Sequence, residues 1–113
     1  MTVALLGSIP CIGACSGTLP PPTERLQSTE ARVAAAEKDG ADNVPAAKEV
    51  LARARTAVER AKASLKLGKH VEAEELLLRA GADAELADAL AREGEAADAV
   101  AKAKAQLAEE KSK

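Results

Sequence analysis

The sequence predicts an all-α protein: an alanine-rich antiparallel helical hairpin or three-helix bundle with one long C-terminal helix. Two observations carry that reading. From Glu24 onward the chain holds 26 alanines against 16 larger aliphatics, all Leu or Val, and alanine is the strongest helix former. Large and small apolar residues then recur at seven-residue intervals, the spacing of a packed helical seam. The core this allows is thin, because an alanine buries little more than one methyl group, about 0.8 kcal/mol per carbon.

The chain opens with an uncharged segment. All 34 charged residues lie between Glu24 and Lys113, and residues 1–23 carry none. Residues 1–14, MTVALLGSIPCIGA, are apolar but shorter than the roughly 20 residues of a spanning helix, and Pro10 interrupts a helix there. A signal-peptide apolar core of about 7–15 residues closing on small residues fits better. Ile12, Gly13 and Ala14 before Cys15 read as a lipobox: small residues flank the scissile bond, and the thiol receives lipid. The expected organisation is a lipoprotein-type signal peptide over 1–14, a lipidated Cys15 and Pro-rich tether over 15–22, and a helical domain over 23–113. Basic residues normally precede the apolar run and none is present here: either they are encoded upstream of Met1 or the segment is not exported. Cys11 leaves with the leader, so no disulfide is expected. Ser16 after Cys15, where an inner-membrane retention signal has Asp, points to the periplasmic face of the outer membrane. Gly17-Thr18-Leu19-Pro20-Pro21-Pro22 reads as a stiff extended tether.

Three helices follow. Thr23 is the expected N-cap of the first, with Glu24 in its first turn, and that helix runs to about Asp39. Gly40-Ala41-Asp42-Asn43 reads as a loop, with Asn43 a cap candidate. Pro45 suits the first turn of the second helix, which runs to Leu67 and stops at Gly68. The third runs from near Val71 to about Glu110, with Gly81 a candidate kink. In the second helix, Leu51, Val58 and Leu65 alternate with Ala54, Ala61 and Gly68 as large and small seam positions. The first repeats this with Leu26 and Val33 against Thr29 and Ala36. In the third, the seam is almost wholly small: Ala73, Leu77, Ala80, Ala84, Ala87, Ala91, Gly94, Ala101, Ala105 and Ala108, interrupted by Asp98. Leu76, Leu86, Leu90, Ala97, Val100 and Leu107 are expected to flank it, leaving a polar solvated face opposite.

Charge adds a pairing expectation. The segment from Pro45 to Gly68 has six basic and two acidic residues, and that from Lys69 to Lys113 seven basic and eleven acidic. A short turn at Gly68-Lys69-His70 would lay the basic helix antiparallel to the acidic one.

The residues Ser28-Thr29-Glu30-Ala31-Arg32 with Ala34-Ala35-Ala36, then Gly40-Ala41 and Pro45, then Gly68-Lys69 with Ala73, Ala80 and Asp83-Ala84-Glu85-Leu86-Ala87, resemble a bacterial lipoprotein family catalogued as domain of unknown function 4398. The resemblance covers roughly Leu26 to Ala91. It implies a helical envelope protein, sometimes joined to a peptidoglycan-binding OmpA-like domain, with no established activity. Here His70 stands where an aromatic residue is common, and the chain has no room for an OmpA-like domain. The helix-Gly-Lys-helix unit also resembles half a tetratricopeptide repeat, present as a single unit without a 34-residue period.

Several function classes are disfavoured. The chain has no Phe, Tyr or Trp and a net charge of −2, which removes stacking platforms and the basic footprint of nucleic-acid binding. His70 is the only histidine, and beside Glu72, Glu74 and Glu75 it reads as a turn residue rather than a metal ligand. Glu74/Glu75 and Glu109/Glu110 are sequence neighbours and do not converge on one helical face. The expectation is therefore no enzyme, no cofactor and no metal: a lipid-anchored scaffold of the cell envelope, or an adaptor that binds a partner helix or self-associates as a coiled coil. A link from Lys113 to peptidoglycan, by resemblance to the murein lipoprotein, is the lesser expectation.

Overall fold

The structure, a computed structural model, describes residues 20–113. The predicted leader, the lipobox Ile12, Gly13 and Ala14, and both cysteines lie outside the described residues. Within them the chain forms α1 (Thr23–Lys38), a 3-10 turn (Ala41–Asn43), α2 (Pro45–Lys66) and α3 (His70–Lys111), with no strand among the described residues.

The helix ends follow local chemistry, with two corrections. Thr23 is the first helical residue of α1 rather than its cap: Pro22 takes the cap position, and its carbonyl accepts the Leu26 N–H at 3.0 Å. Asn43 does not cap α2 either. Val44 does so in an extended conformation, accepting the Lys48 N–H at 2.8 Å, and Pro45 follows where a missing N–H costs nothing. At the far end of α2 the Gly68 N–H donates to Leu65 O at 3.0 Å and the Lys69 N–H to Ser64 O at 2.9 Å. This Schellman closure needs a left-handed residue, and Gly68 supplies it at φ +72°. The predicted loop after α1 is a 3-10 turn whose Ala41 is fully buried.

The three helices pack up-down-up. Near one end, Ala61 of α2 and Leu26 of α1 meet Ala73 and Leu77 of α3; near the other, Ala47 and Leu51 of α2 and Ala36 of α1 meet Ala87 and Ala91. Thus α2 runs antiparallel to α3, while α1 runs parallel to α3 and antiparallel to α2. Of the sequence-predicted seam residues, Leu51, Ala54, Val58, Ala61, Leu77, Ala80, Ala84 and Ala87 are buried, and Leu26, Val33, Leu65 and Leu90 are half-buried around them. Leu51 and Leu77 are the large side chains wholly removed from water. Val50 and Leu76 join them inside.

Four expectations change. The α2 and α3 charges do not chiefly meet each other. Arg53–Asp83 joins these helices at 3.2 Å, but Lys62 pairs with Glu30 and Arg55 with Glu37 on α1, while α1 gives Arg25 to Glu74 and Arg32 to Glu85 on α3. The shortest helix thus mediates, because it lies in the groove between the other two. The partners repeat every seven residues on α1: Arg25, Arg32 and Asp39 face Glu74, Glu85 and Arg92, and Glu30 and Glu37 face Lys62 and Arg55. All are substantially exposed, so each pair stabilises by about 0–1 kcal/mol at most and chiefly selects register.

Gly81 does not kink α3, which runs unbroken. It is buried under α1, and a Cβ there would lie 3.3 Å from Arg32 Nη1. The inner seam also ends earlier than its repeat suggests. The α2 start and Val44 reach only as far as Gly94, whose hypothetical Cβ would fall 2.7 Å from Val44 Cγ2. Beyond it Ala101, Ala105 and Ala108 are exposed, as is every residue from Glu95 onward. Finally, Leu86, Val100 and Leu107 do not flank the core; they are 47%, 54% and 56% exposed.

Candidate interaction surface

Helix α3 outruns its neighbours. From His70 to Gly94 it is the central member of the bundle, and from Glu95 to Lys111 it continues as a single-helix arm about 25 Å long at 1.5 Å per residue. A lone helix of this length is marginal in water, although here the bundle supplies the nucleus and seven of its residues are alanines.

The arm is not simply polar. A second seam runs along α3 on the side turned away from α1 and α2. Ala82, Ala89, Ala96 and Ala103 recur every seven residues, and Leu86, Val100 and Leu107 sit at the companion positions with Glu93 among them. All eight are exposed. This seam is displaced by nine residues from the buried one: Ala73 corresponds to Ala82, Leu77 to Leu86, Ala80 to Ala89 and Ala87 to Ala96. Nine residues are two and a half helical turns, so the two seams lie on opposite faces. Leu86, Val100 and Leu107 are thus exposed on the outer face, where the sequence pattern predicts them beside the inner seam and a polar face opposite. The signal that locates them is the seven-residue alanine repeat from Ala82 to Ala103.

Two charged clusters lie elsewhere on the bundle. Arg55 bridges two elements, donating from Nε to Glu37 Oε1 at 2.7 Å and from Nη2 to Asp42 Oδ2 at 2.9 Å. That hydrogen bond holds the Asp42 carboxyl below the ordinary aspartate range and pins the 3-10 turn. At the end of α1, Arg92 Nη2 lies 2.9 Å from Asp88 Oδ2 and 3.3 Å from Asp39 Oδ2. Asp88 Oδ1 is buried without a hydrogen-bond partner. Hydrogen bonding to Asp39 raises the Asp88 pKa, and burial adds to that; the same bond, with Arg92, lowers that of Asp39. The two neighbouring carboxyls are thus pushed in opposite directions, Asp88 upward and Asp39 downward.

His70 opens α3 on the rim of an open groove also bounded by Pro20–Arg25, Glu74 and Glu75. Among the described residues no group of three His, Cys, Asp or Glu side chains converges as a metal site. No helix among them is long and apolar enough to cross a membrane.

The profile of the domain of unknown function DUF4398 matches residues 24–103, more than two thirds of the chain. The chain belongs to this family. The family match takes in all of α1 but its first residue, the whole of α2, and α3 through the first half of the arm. Both seams of α3 thus fall within the DUF4398 region, up to Ala103 of the outer one. No curated protein and no solved structure matches the chain.

Proposed function

We propose that this DUF4398 chain is a lipid-anchored, non-catalytic module of the bacterial envelope, tethered through Cys15 to the periplasmic face of the outer membrane and holding a contact at a distance from it. One observation supports this most directly. Pro20–Pro22 and the start of α1 lie beside His70 and Glu74, at the opposite end of α3 from the arm. A lipid on Cys15 sits a few residues before that end, so the α3 arm reaches away from the anchored foot. The full length of α3 corresponds to about 60 Å.

The arrangement suits a spacer. The small seam residues bring the helices close, and heptad-spaced ion pairs fix the order of the three helices. Metabolic labelling with a fatty acid tests the anchor: the wild-type chain takes up label and fractionates with membranes, and Cys15→Ala takes up none. An unlabelled, soluble wild-type product contradicts the anchor.

The second reading, an adaptor that pairs through helices, is favoured by the exposed outer seam of α3. It is compatible with the first, since an anchored module must still touch something.

A further inference from the structure

We infer that the outer seam of α3 is the docking surface for a second copy of the same chain, pairing α3 antiparallel to α3 about a two-fold axis between Gly94 and Glu95. The pairing stands independently of the lipid on Cys15.

The argument starts from shape. In antiparallel helix pairs, the two alternating kinds of seam position face each other. About this axis every large outer residue meets an alanine: Leu86 meets Ala103 of the second copy, Val100 meets Ala89, and Leu107 meets Ala82. Glu93, at the middle, meets Ala96. All of these are exposed in the single chain. The alternation of large and small residues that packs Leu51 and Ala54 of α2 inside the bundle is thereby repeated between copies. Each arm also ceases to be unsupported, because it lies along the bundled half of the other α3.

Charge chooses the direction. The next position toward the foot is Arg79, and its counterpart toward the tip is Glu110; both are exposed, and neither forms an ion pair among the described residues. The same axis sets Arg79 of each copy against Glu110 of the other, closing both ends of the seam with opposite charges. A parallel arrangement instead stacks Arg79 on Arg79, Glu93 on Glu93 and Glu110 on Glu110, and like charges at facing positions repel. Parallel pairing also sets alanine on alanine and leucine on leucine, losing the fit.

The other faces of α3 are occupied. Glu74 and Glu85 contact α1, and Asp83 contacts α2, so the outer seam is the remaining long face. The resulting rod has its two feet at opposite ends, about 75 Å apart from His70 to its counterpart.

Sedimentation equilibrium of the full chain carrying Cys15→Ala, which removes the lipid question, tests the pairing. The expected result is a dimer at tens of micromolar. Arg79→Glu alone and Glu110→Arg alone each weaken it about tenfold, since two facing pairs become repulsive at once. The combined R79E/E110R chain regains the parent affinity. Leu107→Lys abolishes the dimer while circular dichroism shows the bundle still helical, because Leu107 lies exposed on the arm, beyond the bundle core. A parent chain that remains monomeric, a dimer indifferent to Leu107→Lys, or a combined reversal that fails to restore affinity would each overturn the inference. Failure of fatty-acid labelling in the wild type would leave these results unaffected, so the two readings fail separately.

Discussion

Gly81 and Gly94 both lie within α3, and each costs the helix about 1 kcal/mol relative to alanine. Their surroundings set opposite expectations. A Cβ at Gly81 meets the far end of the flexible Arg32 side chain at 3.3 Å, which can yield. Gly81→Ala should therefore raise stability by about 0.5–1 kcal/mol. At Gly94 the Cβ meets the β-branched Val44 at 2.7 Å, and forcing that contact costs about 1–3 kcal/mol, so Gly94→Ala should lower stability despite its better propensity. Urea unfolding followed by circular dichroism measures both. The Asp39/Asp88 pair gives a pH expectation. Because the Asp88 pKa is raised in the fold, its protonated form favours folding, and that contribution is lost as pH rises through the folded value. Asp88→Asn should accordingly melt higher than the wild type at neutral pH, with the difference vanishing as pH falls below the ordinary 3.8. The packing of Gly94 in the small seam was legible in the sequence, as the next step of the alanine repeat. The burial of Gly81 was not: it rests on α1 crossing α3 at that level, a contact no local pattern in α3 records.

At the scale of elements, α2 was the easiest to read. Its large and small positions alternate on one face, and the other face is charged, so a single apolar stripe gives its place. Leu51→Ala tests that stripe: Leu51 is fully buried, and truncation should cost about 2–5 kcal/mol, enough to unfold a core this thin, as thermal melting would show. Helix α1 was located correctly but its role was not foreseen. Net charges on α2 and α3 suggest that they pair directly, whereas Arg25, Glu30, Arg32 and Glu37 on α1 meet Glu74, Lys62, Glu85 and Arg55, and Arg53–Asp83 joins α2 to α3 directly. Net charge counts carry no positions, and a mediating helix is visible only in the seven-residue spacing of its ionic residues. Helix α3 was half legible. Its inner stripe was recognised, but alanines on both faces flatten the amphipathic contrast on which such reading depends, and Leu86, Val100 and Leu107 were assigned to the wrong side.

For the whole molecule, the consequence is that one long helix serves two purposes. Its inner seam closes the bundle with α1 and α2, and its outer seam, in our account, closes an antiparallel pair. The proposed envelope address rests on Cys15 and the residues before it, a segment read from the sequence alone. The pairing rests on α3. Amide hydrogen exchange of the full chain at two concentrations addresses that claim directly. On dilution through the dimer dissociation range, amides from Ala96 to Leu107 should lose protection, while those from Ala73 to Ala91, held by α1 and α2, keep theirs. Exchange in the arm that is equally fast at both concentrations would contradict the account.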